Sequence, residues 1–296
     1  MKRITDSPSC SKGVKSELPS LIRGLERRMR VANRSESTIR SYCRSVSNLS
    51  AFHGSLPDVL EIDQIIDFLW HLQNDQGLHW RTLKLYVAEL RYYYQEMVLN
   101  TDLAKQIPYP KEKPSLPRII SRSELQQLFD GCQNYKHKVM FRLIYSAGLR
   151  RSELVNLRLV DIETQDNQMR IRINKGKGGK DRYTILSHTI LLELREYYQM
   201  CKPVDYLFNG RFKGEPMSFG GLRFALLSAI KKSGLTKEIN LHTLRHCFAS
   251  HALEDGLNIK TLQYLLGHQS IHTTLIYLHI SDVPLSKAFS PLDTWK

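Results

Sequence analysis

The stretch NLHTLRHCFASHALEDGLNIKTLQYLLGHQSIHTTLIYLH, residues Asn240–His279, decides how the rest of the chain is read. His242, Arg245, His268 and Tyr277 stand in it, with only two carboxylates, Glu254 and Asp255, between them. Two imidazoles, a guanidinium and a phenol suit an anionic substrate attacked by a tyrosine oxygen. Four groups make only part of such a site, so the remainder must come from elsewhere in the chain.

Working back from that stretch, helices are expected at about 188–200 and 218–233. Before them Met169–Ile173 alternates as a strand, NKGKGGKD makes a glycine-rich turn loaded with Lys175, Lys177 and Lys180, and Arg182–Leu186 returns as a second strand. Leu149 to Leu154 (LRRSEL) opens a helix after Ala147-Gly148, which closes a helix over Tyr135–Ser146. Ser121-x-x-Glu124 is a capping box for a helix running to Cys132. IPYPKEKPSLPRII carries four prolines between Pro108 and Pro117, which stiffen an extended segment and mark a linker over 105–120.

The first part reads as four helices: from Leu18 to about Ala32, then about Thr38–Phe52, Leu60–Gln76 and Trp80–Leu99. Arg23, Arg27, Arg30 and Arg34 recur at helical spacing on a face away from the apolar stripe. They are candidate DNA contacts, or a solvated basic face. Tyr92-Tyr93-Tyr94 reads as packing rather than a platform for stacked bases. The chain is therefore expected to be mainly α with a small antiparallel β-sheet (α+β), divided into a flexible arm over 1–17, a helical domain over 18–104, the linker, a second domain over 121–284 and a tail over 285–296.

Charge narrows the partner. The 296 residues carry a net charge of +14, and the pI is near 9.6. Residues 1–104 hold 14 Lys+Arg against 12 Asp+Glu, whereas residues 105–296 hold 29 against 17. Such a surplus favours a polyanion, nucleic acid before membrane. No apolar run approaches the roughly 20 residues that span a bilayer, and no signal peptide follows Met1-Lys2-Arg3. The five cysteines are scattered with no CxxC pair, as expected of reduced thiols in a cytoplasm.

Phosphodiester cleavage needs neutralised phosphate oxygens, a nucleophile and a proton for the leaving oxygen. Most nucleases neutralise with metals held by carboxylates; here the crowded groups are cations, which points to an arginine clamp. Zinc is disfavoured: His242 and His246 stand at i, i+4, as do His268 and His272, but Thr243 occupies the place of a base and Arg245 would sit beside the metal. His246 and His251 read as buried hydrogen-bonding or packing residues.

Order and spacing together resemble the tyrosine recombinase (phage integrase) family. Arg150 in YSAGLRRSEL, Lys177 in GKG, His242 and Arg245 in LHTLRH, His268 in LLGH, and Tyr277 nine residues later are similar to the family's catalytic set, in its order. The resemblance covers about 121–280 and implies that Tyr277 attacks the scissile phosphate, leaving a 3′-phosphotyrosyl link and a free 5′-hydroxyl. It implies that Arg150 and Arg245 clamp the phosphate, Lys177 protonates the leaving oxygen, His242 transfers the tyrosine proton, His268 bonds the phosphate and Glu153 supports the arginines. Among the hairpin lysines only the GKG match selects Lys177; Lys175 and Lys180 are left to touch phosphates. The helical first domain is similar in size and helix content to the family's core-binding domain.

The same resemblance implies a site-specific recombinase acting through a Holliday junction on double-stranded DNA with inverted-repeat core sites, as a homotetramer on two sites. It implies no metal, ATP or other cofactor and a cytoplasmic, nucleoid-associated location. Leu285–Leu292 would dock on a neighbouring protomer or pack on its own domain. The spacing from His242 to His268 leaves no room for the insert of integron integrases, and 1–17 is too short for an arm-binding domain, which leaves a simple two-domain recombinase. A type IB topoisomerase-like enzyme and a DNA-binding homologue without catalysis are the competing expectations.

Overall fold

Apolar stripes and caps set where each helix begins and ends. A computed structural model describes residues 12–112, 117–165, 168–174 and 181–278. The chain divides into two units, Met1–Pro114 and Ser115–Lys296.

In the first unit, α1 (Lys12–Val31) buries Leu25 and Met29. It starts inside the segment expected as a flexible arm over 1–17. It ends at Asn33, left-handed at φ 53°, where the Arg34 N–H returns to Met29 O at 3.0 Å. The expected arginine face is thereby corrected. Arg23, Arg27 and Arg30 are exposed on α1, with Arg30 paired to Glu36 at 3.2 Å, whereas Arg34 lies past the turn that ends the helix.

Ser35 caps α2 (Glu36–His53) by accepting from Thr38 N at 3.2 Å. A 3₁₀ turn over Pro57–Val59 leads to α3 (Ile62–Asn74) and α4 (Trp80–Glu96). α2 packs on α4 through Val46, Leu49, Val87 and Leu90, and the buried Glu89 carboxylate accepts from the Ser41 and Ser45 hydroxyls. Tyr93 and Tyr94 are core residues: the Tyr94 hydroxyl donates to Pro57 O at 2.8 Å and Tyr93 to Asp58.

The four-helix expectation misses α5 (Thr101–Gln106), capped by Asn100 and burying Ala104. Six residues are too few to show a period. The segment expected as a linker over 105–120 contains the division between the two units and has packed residues on either side of it. Ile107 is fully buried in the first unit, Arg91 stacks over Tyr109 and Lys84 pairs with Glu112. Ile120 is buried in the second unit beside Cys247.

The second unit opens with α6 (Arg122–Asp130), held by the Ser121/Glu124 capping box in both directions. α7 (Tyr135–Ala147) is its central helix, burying Val139, Met140, Phe141, Leu143, Ile144 and Ala147. Then come α8 (Arg151–Asn156), a 3₁₀ turn over Leu159–Asp161, and β1 (Ile162–Glu163), β2 (Arg170–Ile173) and β3 (Arg182–Ile185). The sheet is antiparallel in the order β1-β2-β3, with Ile162 opposite Ile171 and Ile173 opposite Arg182. A two-stranded hairpin is thus corrected to three strands, the extra one too short to alternate visibly.

α9 (His188–Cys201), α10 (Phe219–Ser233), α11 (Leu241–Glu254), α12 (Ile259–Leu266) and α13 (His272–Leu275) complete the described unit. α11 packs against α7 and is buried almost all round; full burial of Leu244 alone contributes about 1.5–3 kcal/mol. Phe248, Leu253, Leu262, Leu265, Leu266 and Tyr277 form a second apolar cluster between α11 and α12. That cluster brings the quoted stretch onto itself.

Candidate active site

Three helix ends converge in the second unit. α7 stops at Gly148 (φ 61°), where a Cβ would stand 2.5 Å from Phe248, so only glycine fits. α12 stops at Gly267 (φ 62°), where a Cβ would stand 2.7 Å from Arg182 Cδ. α8 begins after Arg150, whose backbone N–H donates to Glu153 Oε2 at 2.7 Å.

The last carbonyls of a helix have no intrahelical donors and lie at the negative end of its dipole. At the end of α12, three successive ones are taken by three arginines. Leu265 O accepts from Arg182 Nε at 3.0 Å, Leu266 O from Arg245 Nη2 at 2.6 Å, and Gly267 O from Arg150 Nη2 at 2.8 Å. Arg245 Nη1 also donates to Gly148 O at 2.6 Å, tying the ends of α7 and α12 together.

Glu153 holds the same three guanidiniums from the other side. It accepts from Arg182 Nη1 and Nη2 at 2.7 and 2.8 Å and from Arg150 Nη1 at 2.7 Å, with Arg245 Nη1 at 3.8 Å. Burial alone would raise its pKa, but the Arg182 hydrogen bonds and charge, then Arg150, overcome this and hold it at about 2. Burial, followed by the Arg150 charge, lowers the Arg245 guanidinium to about 9, which leaves it cationic at neutral pH.

His268 is aligned by what its ring nitrogens meet. Arg245 Nη2 lies 3.3 Å from His268 Nε2, and a guanidinium can only donate, so Nε2 accepts. The ring proton is then on Nδ1, directed at the Thr274 hydroxyl 3.0 Å away. Burial and the charges of Arg245, Arg150 and Arg182 pull this imidazole down to about 4. Its ring stacks on that of Tyr277, centroids 6.4 Å apart and planes 9° off parallel.

Tyr277 is 3% exposed, and its hydroxyl lies 2.8 Å from His246 Nδ1. Burial raises its pKa, while the charges of Arg245 and Arg150 work against the rise. His242, one turn before His246 on α11, is exposed, yet the protein around its ring and the cations Arg245, Arg151 and Arg150 hold its pKa below the ordinary value.

Arg150, His242, Arg245, His268 and Tyr277, all singled out from the sequence, line one cleft of about 380 Å³, with His246 among them. Glu153 lies buried behind its arginines. Lys175, Lys177 and Lys180, and the tail with Leu285–Leu292, fall outside the described residues. Sequence reading missed Arg182 and took His246 only for a buried hydrogen-bonding or packing residue. The signal for Arg182 is the inverted pattern of β3, where Arg182 and Thr184 face inward and Ile185 is exposed. His246 carried no signal beyond its spacing from His242.

The chain belongs to the phage integrase family: residues 118–283 match that family, and residues 21–104 match the phage integrase N-terminal SAM-like domain. It is similar to the integrase/recombinase-like protein y4qK of Sinorhizobium fredii, 37% identical over 267 residues, covering 90% of this chain and 86% of that one. Tyrosine recombinase XerD of Listeria innocua is 29% identical over 277 residues, covering 86% of this chain and 92% of that one. Among solved structures, the fold is similar to a lambda integrase dimer bound to a COC′ core site (TM-score 0.73, 18% identity, 94% of this chain and 99% of that one). It is also similar to XerH bound to palindromic difH substrate after cleavage (TM-score 0.68, 23% identity, 96% and 86%).

Proposed function

We propose that this tyrosine recombinase cuts and rejoins DNA at the cleft between α8, α11 and α12, with Tyr277 as the attacking group. The observation that carries the reading is the buried phenol sharing one cleft with Arg150 and Arg245. Each guanidinium has five N–H groups, and helix carbonyls and Glu153 fix the pair before any substrate arrives. A phosphate entering there meets donors already oriented, which costs no reorganisation as charge develops in the transition state.

In this reading Tyr277 forms a 3′-phosphotyrosyl ester and releases a 5′-hydroxyl. Arg150 and Arg245 hold the non-bridging oxygens, His268 adds a hydrogen bond, and Lys177 protonates the leaving oxygen. His242, open at the mouth of the cleft, completes the set. The ester conserves the energy of the broken bond, so the 5′-hydroxyl of a partner strand can attack it without ATP or metal. Two such rounds pass through a Holliday junction, with four protomers on two inverted-repeat sites. The helical domain over 18–104, with Arg23, Arg27, Arg30 and Arg34, supplies further DNA contacts, as do Lys175 and Lys180.

The test uses nicked duplexes from DNA flanking the gene, with EDTA present and ATP absent. Denaturing electrophoresis is expected to show a covalent adduct with the intact chain and none with Tyr277→Phe, at unchanged DNA binding. An adduct that persists in Tyr277→Phe overturns the reading.

A further inference from the structure

A tyrosine that attacks phosphorus must lose its proton as the new bond forms, and Tyr277 is too buried for bulk water to take it. Of the imidazoles in the cleft, His268 cannot. Arg245 uses its Nε2 lone pair, and its Nδ1 carries the proton directed at Thr274. His246 can: its Nδ1 is 2.8 Å from the Tyr277 oxygen, within the distance a general base needs.

We propose that His246 is a catalytic residue of the strand-cleavage step, the group that accepts the Tyr277 proton at Nδ1 and returns it on religation. This rests on Tyr277 being the nucleophile. In the forward step the Tyr277 O–H bond breaks as an N–H bond forms on His246. The phenolic oxygen bonds to phosphorus, the bond from phosphorus to the 5′-oxygen breaks, and that oxygen takes a proton from Lys177. On religation the 5′-hydroxyl bonds to phosphorus as its proton returns to Lys177, the bond from phosphorus to the phenolic oxygen breaks, and the imidazolium protonates the departing phenol.

The surroundings keep His246 ready for this. His242 and Arg245 flank it on α11, while His268 and Tyr277 face it from the segments after α12 and α13. Burial, then His242 and Arg245, pull its pKa down to about 4, so the ring is neutral near pH 7 with a nitrogen able to accept. An arriving phosphate brings negative charge that favours the imidazolium, so accepting the proton becomes easier once DNA is in place. His242 on its exposed position is left to meet the DNA at the mouth of the cleft.

The test combines His246→Asn, which keeps a hydrogen-bonding atom near the place of Nδ1 but takes no proton near pH 7, with a more acidic nucleophile, 3,5-difluorotyrosine at position 277. Single-turnover adduct formation is followed on nicked duplex, with DNA affinity and Tm measured alongside. His246→Asn is expected to bind DNA and fold as the parent does but to cleave about 100-fold more slowly, the usual scale of general-base catalysis. Difluorotyrosine is expected to restore at least about tenfold in His246→Asn and little in the parent, because a phenol that ionises more readily depends less on a base. Parent-like or faster cleavage by both His246→Asn and His246→Ala overturns the proposal, the faster rate marking His246 as a clamp on an idle tyrosine. An equal fluorotyrosine effect in both backgrounds also overturns it. If Tyr277→Phe still forms adduct, the nucleophile assignment itself fails, which separates the two conclusions.

Discussion

Gly267→Ala is a one-methyl change with consequences out of proportion to its size. The position has φ 62°, and the added Cβ would lie 2.7, 2.9 and 3.1 Å from Cδ, Nε and Cζ of Arg182. The backbone conformation alone costs an alanine roughly 1–2 kcal/mol. Arg182 cannot swing aside freely, because it donates to Leu265 O and twice to Glu153. Losing one such charge-assisted bond costs about 1.5–3 kcal/mol, so the total is about 2.5–5 kcal/mol. At roughly 2–4 °C per kcal/mol for a domain of this size, the melting temperature of the second unit should fall by about 10 °C. Gly234→Ala is the control: φ is 70° and no atom lies within 4 Å of the added Cβ, so only the backbone cost applies. Differential scanning fluorimetry of both variants, and of Gly267→Ala in an Arg182→Ala background, separates the two contributions. Equal shifts for Gly267→Ala and Gly234→Ala, or an undiminished Gly267→Ala effect when Arg182 is already gone, would refute a wedged Arg182.

Three further outcomes are expected. Glu153, 5% exposed at its side chain and held at about 2, ionises more readily folded than unfolded; its contribution of about 3 kcal/mol is therefore complete above about pH 4.5 and lost as pH falls toward 2. His246 and His268, lowered to about 4, lose theirs as pH falls from about 6.5 to 4; urea midpoints between pH 7 and 3 should decline in both windows. Glu153→Gln should erase only the lower window, while costing about 3–5 kcal/mol at pH 7 by leaving buried guanidiniums uncompensated. Arg27→Ala should weaken DNA binding alike across sequences and flatten the salt slope of log K by about one unit; fluorescence anisotropy at 50–200 mM salt checks this, and an unchanged slope removes Arg27 from the DNA contacts.

The apolar stripe of α4 and the capping box of α6 were legible from residues alone. The six-residue α5 and two-residue β1 were not, because neither is long enough to repeat. Arg34 looked like a member of the α1 face until the left-handed Asn33 ended the helix before it. In the cleft, chain order pointed to Arg150, His242, Arg245, His268 and Tyr277 because each sits in a short recognisable context. Arg182 has no such context, and His246 ends the LHTLRH motif without being one of its matched residues. A charge at an inward strand position and a second histidine one turn along acquire meaning only when α12 and the segment after α13 fold back against them. The tyrosine hydroxyl meets His246 because packing in the Phe248–Leu266 cluster sets where Tyr277 lies.

The carbonyls of Leu265, Leu266 and Gly267 act as a ruler for the three arginines that grip them. Together with Glu153, and with His246 and His268 neutral, these arginines amount to a fixed dication, the formal charge of one divalent metal ion, built from the chain itself. Its coordination sphere is the last turn of a helix. A chelator has nothing to strip from it, and ion supply does not load it. It comes into being when α12 folds and is dismantled only when that last turn unwinds.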